Sequence, residues 1–168
     1  GMSIVLTIAL LTIQYGVACA IARKNPFKVL GNMATAYFTA LTICSSAATI
    51  PVTMRCTLKN GVSEPTAALV VPLCATIHLA GSMTKVVSCA VAFAVLGDMH
   101  IGFAQFSYFI FMMAITAVAA PGVACGVIMS SLGLLSGILG FSEAQCTMLM
   151  TVYIAMDGLG TACNVTGD

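Results

Sequence analysis

Apolar residues in this chain come in long uncharged runs, and polar residues gather in short clusters between them. Residues 2–22 carry no charge. At about 1.5 Å per residue such a run is long enough to cross hydrocarbon as a helix. Arg23-Lys24-Asn25-Pro26 ends the run, and Pro26 suits the first turn of a new helix. Residues 27–43 are helix-compatible until Cys44-Ser45-Ser46-Ala47-Ala48-Thr49-Ile50-Pro51 interrupts them with small and hydroxyl side chains. The piece that follows, 51–58, is too short to span before Lys59-Asn60-Gly61.

Charge placement decides how this region lies. Arg23, Lys24 and Lys28 precede the interruption; Arg55 and Lys59 follow it. A full crossing by 27–43 would put these cations on opposite faces, whereas a chain that dips in and returns keeps them on the cytoplasmic face. The pattern therefore predicts a re-entrant helical hairpin over 26–59 with its tip at 44–50. Broken backbone at membrane depth requires protein or a water-filled cavity around it.

Glu64-Pro65 opens a long span, 65–96, interrupted at Thr76-Ile77-His78-Leu79-Ala80-Gly81-Ser82, so an unwound helix is expected there. Residues 101–140 repeat the hairpin pattern around Ala120-Pro121-Gly122-Val123-Ala124-Cys125-Gly126. No Lys or Arg follows Lys85, which places this second hairpin on the extracytoplasmic side. A last helix is expected over 142–168. Two hairpins entering from opposite faces form an inverted repeat, the architecture that sets solute and ion sites near the midplane.

Two positions concentrate the chemistry. In a helical last segment Asp157, Thr161, Asn164 and Asp168 fall on one face, and carboxylates at membrane depth need a cation, a partner or water. That face reads as a lining for cationic ligands, with a solvated helix end broken by Gly158, Gly160 and Gly167 as the alternative. Lys85 lies mid-span, about 16 Å of helix from the nearer end, too far for its stem to reach the interface. Its ammonium is expected to act as an internal cation compensating Asp157 or Asp168. The alternative is an acid on helices outside this chain.

Composition agrees with a membrane setting. Of 168 residues, 60% are hydrophobic and 7% charged, against roughly 25% charged in soluble domains. The 8 cysteines form no C-x-x-C pair, which argues against a zinc site or disulfide scaffold. The 11 methionines read as packing. Basic patches for nucleic acid are absent, and Ser46, His78 and Asp157 lack the G-x-S-x-G elbow of a hydrolase, so no enzyme is expected. The fold class is an all-α membrane protein with two re-entrant hairpins and a broken helix.

Ser45 through Thr53, Pro72-Leu73-Cys74-Ala75-Thr76-Ile77, the tip 120–126 and the stretch from Asp157 to Asp168 resemble the dicarboxylate/amino acid:cation symporters, the glutamate transporter homologues. Arg23-Lys24-Asn25-Pro26-Phe27, Leu79-Ala80-Gly81 and Gly122-Val123-Ala124 look closer to the serine/threonine:sodium branch. The resemblance covers the C-terminal half of that fold. It implies a fragment whose N-terminal helices lie elsewhere, a homotrimer when complete, and a multi-pass protein of the cytoplasmic (cell inner) membrane.

It also implies roles. Ser45 and Ser46, with Gly122, Val123 and Ala124, would hold the substrate carboxylate. Asp157 would pair its α-ammonium, and Thr161 and Asn164 would complete the substrate site. Asp168 would ligate Na+ with backbone oxygens of Cys74, His78 and Asn164, and a second Na+ would use oxygens near Thr76, Ala114 and Ala117. Gly160 and Cys44 stand where the acidic-substrate branch has arginines, which favours a small neutral amino acid such as serine or threonine. Ala80 removes one acidic ion ligand, so fewer sodium ions are expected, with protons as the other coupling option. His78 replaces an asparagine. The implied function is sodium-coupled symport by alternating access; the alternative is a non-transporting fragment or a structural membrane subunit.

Overall fold

A computed structural model describes residues 2–168. Among the described residues every regular element is a helix: α1 (Met2–Ala22), α2 (Pro26–Ile43), α3 (Ser46–Lys59), α4 (Glu64–Ile77), α5 (Ala80–Leu96), α6 (Phe103–Ala119), α7 (Gly126–Gly137), α8 (Glu143–Ala155) and α9 (Asp157–Gly167).

Local chemistry explains the boundaries. Asn25 caps α2, accepting from the Phe27 N–H at 2.9 Å, and Pro26 occupies the first turn. Cys44 takes a left-handed conformation (φ 56°) that ends α2, and Ser45 then caps α3 through the Ala48 N–H. α2 and α3 pack side by side as a hairpin. Its open end is tied by Lys24 Nζ donating to the Asn60 carbonyl at 2.5 Å and Asn32 donating to Asn60 Oδ1 at 2.7 Å. α6 and α7 form the second hairpin, with Gln105 donating to the Ile138 carbonyl at 2.6 Å across its open end. A capping box of Ser142 and Gln145 starts α8.

The long span breaks at His78 and Leu79, between α4 and α5. The last segment differs from the continuous helix expected over 142–168. It bends by 59° at Met156, separating α8 from α9. α9 begins with Asp157-Gly158 and carries three glycines, so beyond the bend its backbone can approach its neighbours closely. Among the described residues two helical spans are long and apolar enough to cross a membrane, Met2–Ala22 and Glu64–Leu96 (α4 with α5), or three if the bent α8–α9 pair is one span.

α9 is the hub, packing on α1, α2, α3, α5 and α8. The α5–α9 crossing is close because both faces are glycine: a Cβ on Gly81 would lie 2.6 Å from Cys163 Cβ, and one on Gly160 would lie 3.1 Å from Ser82 Cα. One core cluster, around Val86, Phe109, Met113, Ile128, Leu149 and Tyr153, binds the second hairpin to α5 and α8. Another, around Met33, Ala36, Ala40, Cys56, Ala162 and Val165, binds the first hairpin to α9. Only 11% of the α1 span is buried, against 50% of the α4–α5 span, so α1 is peripheral and α4–α5 central. Large side chains such as Phe27, Leu96 and Phe103 are exposed, as an apolar surroundings requires.

Candidate functional site

Two hairpin tips and two helix breaks meet at one place. The first tip contacts the second directly: the Ala47 N–H and the Ser45 hydroxyl both donate to the Gly122 carbonyl, at 3.1 and 3.3 Å. Beneath them lie Ser46, Asp157, Thr161 and Asn164, all buried. Of the second-tip residues singled out in the sequence, Gly122 is buried here, while Val123 and Ala124 are exposed. The cavity between Cys44, Ser46, Ser82, Gly122, Tyr153 and Asp157 measures about 10 Å³, room for about one water.

Asp157, Thr161 and Asn164 each make side-chain hydrogen bonds in this cluster. Asn164 Oδ1 accepts from the Gly81 N–H at 2.7 Å and from the Ser82 N–H at 3.3 Å, while its Nδ2 donates to Ser82 Oγ at 2.9 Å. Leu79, the residue before α5, supplies no side-chain cap, so Asn164 does this from the facing helix. Thr161 turns its hydroxyl back to the Asp157 carbonyl at 3.1 Å.

Asp157 accepts at both oxygens. Oδ2 takes the Cys125 N–H of the second tip at 2.9 Å, and Oδ1 takes Lys85 Nζ at 3.2 Å. The Lys85 ammonium also donates to the Met156 carbonyl at 2.9 Å and lies 3.7 Å from the centre of the Tyr153 ring. Within the described residues Lys85 faces Asp157, while Asp168 pairs with His78.

Asp168 has a different companion. Its Oδ1 meets His78 Nδ1 at 2.8 Å, and His78 Nε2 meets Gln14 Nε2 at 3.0 Å. With the Gln14 amide nitrogen as donor, Nε2 accepts and Nδ1 carries the proton offered to Asp168. Tyr15 donates to the Thr166 carbonyl at 2.5 Å beside this group. Two of the three carbonyls assigned to the first ion serve helix bonds here: Cys74 O accepts from His78 N–H at 2.8 Å, and Asn164 O accepts from Asp168 N–H at 3.0 Å. Thr76, placed near the second ion, is exposed and bonds its own helix at the Leu73 carbonyl. Ala114 and Ala117 instead line a groove of about 610 Å³ with Ile77, His78, Ala80 and Met83. Among the described residues no group of three or more His, Cys, Asp or Glu is placed to hold a metal.

Tyr153, the Met156 carbonyl and the Cys125 N–H were not anticipated. Tyr153 precedes Asp157 by one helical turn, a spacing that marks a neighbour of the carboxylate. The other two are backbone groups exposed by a bend and a left-handed residue, which composition does not announce.

The model of the sodium:dicarboxylate symporter family matches residues 1–168, from one end of the chain to the other. The chain belongs to the sodium:dicarboxylate symporter family. It is 36% identical over 152 residues to excitatory amino acid transporter 3 of Homo sapiens, an alignment covering 88% of this chain and 28% of that protein. It is 37% identical over 153 residues to the Bos taurus transporter of the same name, with the same shares covered. Excitatory amino acid transporter 1 of Homo sapiens is 32% identical over 152 residues, covering 88% of this chain and 27% of that protein. The chain thus spans under a third of the length of these relatives. Membership makes it part of an integral membrane protein, which the two long apolar helices accord with.

Proposed function

We propose that this chain supplies the solute and ion sites of a sodium-coupled symporter for a small carboxylate-bearing solute of amino-acid size. The observation that carries the reading is the convergence of both hairpin tips and both helix breaks on buried Asp157 and Asn164. The first turns of α3 and α5 lie at this meeting point, and the α7 side of it offers the Cys125 N–H. Helix N-termini favour an anion through their free N–H groups and dipoles. A solute carboxylate entering between the tips would take over the donors Ser45 Oγ and Ala47 N–H that now meet Gly122. The two hairpins would be re-entrant and the second tip the gate, because its hydrogen bonds to other elements are the few at Gly122 and Cys125.

The family supports an amino acid as the solute. A neutral side chain such as that of serine or threonine follows from Cys44 and Gly160, since neither offers a bidentate partner for a second carboxylate. Sodium would be co-transported at Asp168, and fewer ions per cycle would move because residue 80 is alanine. Further helices of the same carrier, a homotrimeric assembly and the cytoplasmic membrane complete the picture.

Proteoliposomes holding the whole carrier test the reading. An inward sodium gradient should drive accumulation of a small labelled carboxylate solute from a panel that includes serine and threonine. No accumulation of any member above the gradient-free control would overturn it.

A further inference from the structure

Lys85 has the surroundings that a bound ammonium ligand would have. It is 1% exposed and meets a carboxylate oxygen, a backbone carbonyl and the face of an aromatic ring. A charge buried this deeply is retained only where such partners compensate it. The carboxylate in question, Asp157, has its other oxygen bound by the Cys125 N–H, so both of its oxygens are engaged. The remaining space beside it, about 10 Å³, is no larger than about one water.

We propose that Lys85 is a chain-borne substitute for the solute's ammonium, and that the site therefore selects small hydroxy-carboxylates over amino acids of the same skeleton. The inference rests on the symport reading and changes only the group that its solute presents to Asp157.

Charge accounting gives the direction. Lys85 and Asp157 together are neutral. An amino acid would bring a second ammonium to a carboxylate already held, against like charge and far from bulk water. To take Asp157 it would have to evict Lys85, leaving a buried ammonium without its carboxylate. A hydroxyl in place of the amine needs no counter-charge. It both donates and accepts, and the Ser82 and Thr161 hydroxyls border the same cavity. The solute carboxylate is unaffected, since its donors lie on the tips. The ring of Tyr153 and the Met156 carbonyl, neither of them a tip group, also hold the ammonium, so Lys85 can remain while the tips part.

The test uses the whole carrier in proteoliposomes under a sodium gradient, with two matched pairs: serine against glycerate, and alanine against lactate. The wild type should take the hydroxy acid of each pair with a KM lower by about tenfold or more, the factor that about 1.4 kcal/mol supplies. Lys85→Met should invert the preference, because a bare Asp157 then needs an ammonium. Lys85→Arg, which keeps the cation, should preserve the wild-type order and shows that the position tolerates exchange. If Lys85→Met fails to fold, Lys85→Met with Asp157→Asn removes both charges and should keep the hydroxy acid while gaining no amino acid. Sodium-driven uptake in which the wild type prefers the amino acids overturns the inference and leaves the symport reading standing. Sodium-driven uptake of no solute at all overturns the symport reading itself.

Discussion

Asn164 of α9 caps α5 at Gly81, its Oδ1 accepting the Gly81 N–H at 2.7 Å across the α5–α9 crossing. The amide thus satisfies orphan donors at a helix start that has no cap of its own, in surroundings where water is scarce. Asn164→Ala should lower the unfolding free energy of the detergent-solubilised carrier by about 1–3 kcal/mol, the cost of stranding buried donors. Thermal unfolding with a fluorescent thiol probe would measure it. A midpoint equal to wild type would show that the α5 donors find another partner.

The same crossing predicts opposite outcomes for two glycine-to-alanine exchanges. Gly81→Ala forces a Cβ to within 2.6 Å of Cys163 Cβ, so α5 and α9 must separate, at a cost of about 1–3 kcal/mol. Gly133→Ala lies on an exposed stretch of α7 with nothing within 4 Å of the new Cβ. There the helix should gain about 0.5–1 kcal/mol. Equal midpoints for the two variants would refute the close-crossing account.

Breaking the Lys85–Asp157 pair from one side should be worse than removing both partners. Asp157→Asn leaves the ammonium with a carbonyl and a ring, a loss of about 3–5 kcal/mol for a buried ion pair cut in half. Adding Lys85→Met should restore much of that stability. A double-mutant cycle on unfolding midpoints reads the coupling directly, and additive losses would mean that the two groups do not interact in the membrane.

At the other carboxylate the competitor is an imidazole. Because His78 Nδ1 meets Asp168 Oδ1 at 2.8 Å, a cation binding at that oxygen competes with the imidazole. His78→Asn should therefore lower the sodium concentration for half-maximal uptake by roughly tenfold, the worth of one charge-assisted hydrogen bond. Uptake titrated with sodium at constant ionic strength gives the number. A higher sodium requirement would make the imidazole an aid to ion binding instead of a rival.

Much of this architecture is written locally in the chain. Long apolar runs set α1 and the α4–α5 span, because helix length and apolar content are properties of consecutive residues. The cations around 23–28 and 55–59 implied a hairpin whose ends meet, and Lys24 reaches Asn60 there. Small residues at 44–51 and 120–126 marked both turns, since a left-handed residue such as Cys44 or Cys125 is followed by a new helix start. The acidic and amide positions of α9 were equally plain, being polar letters in an apolar text. What the tertiary structure alone decided is pairing. Nothing local bends the last segment by 59° at Met156, and that bend exposes the carbonyl that Lys85 uses. Nor does periodicity say that Lys85 meets Asp157 while His78 meets Asp168, because long side chains on crossing helices choose among acids by where the backbones approach. That approach depends on Gly81 and Gly160 facing each other, 79 positions apart in the chain by subtraction of their numbers, a relation that exists only once α5 and α9 have packed.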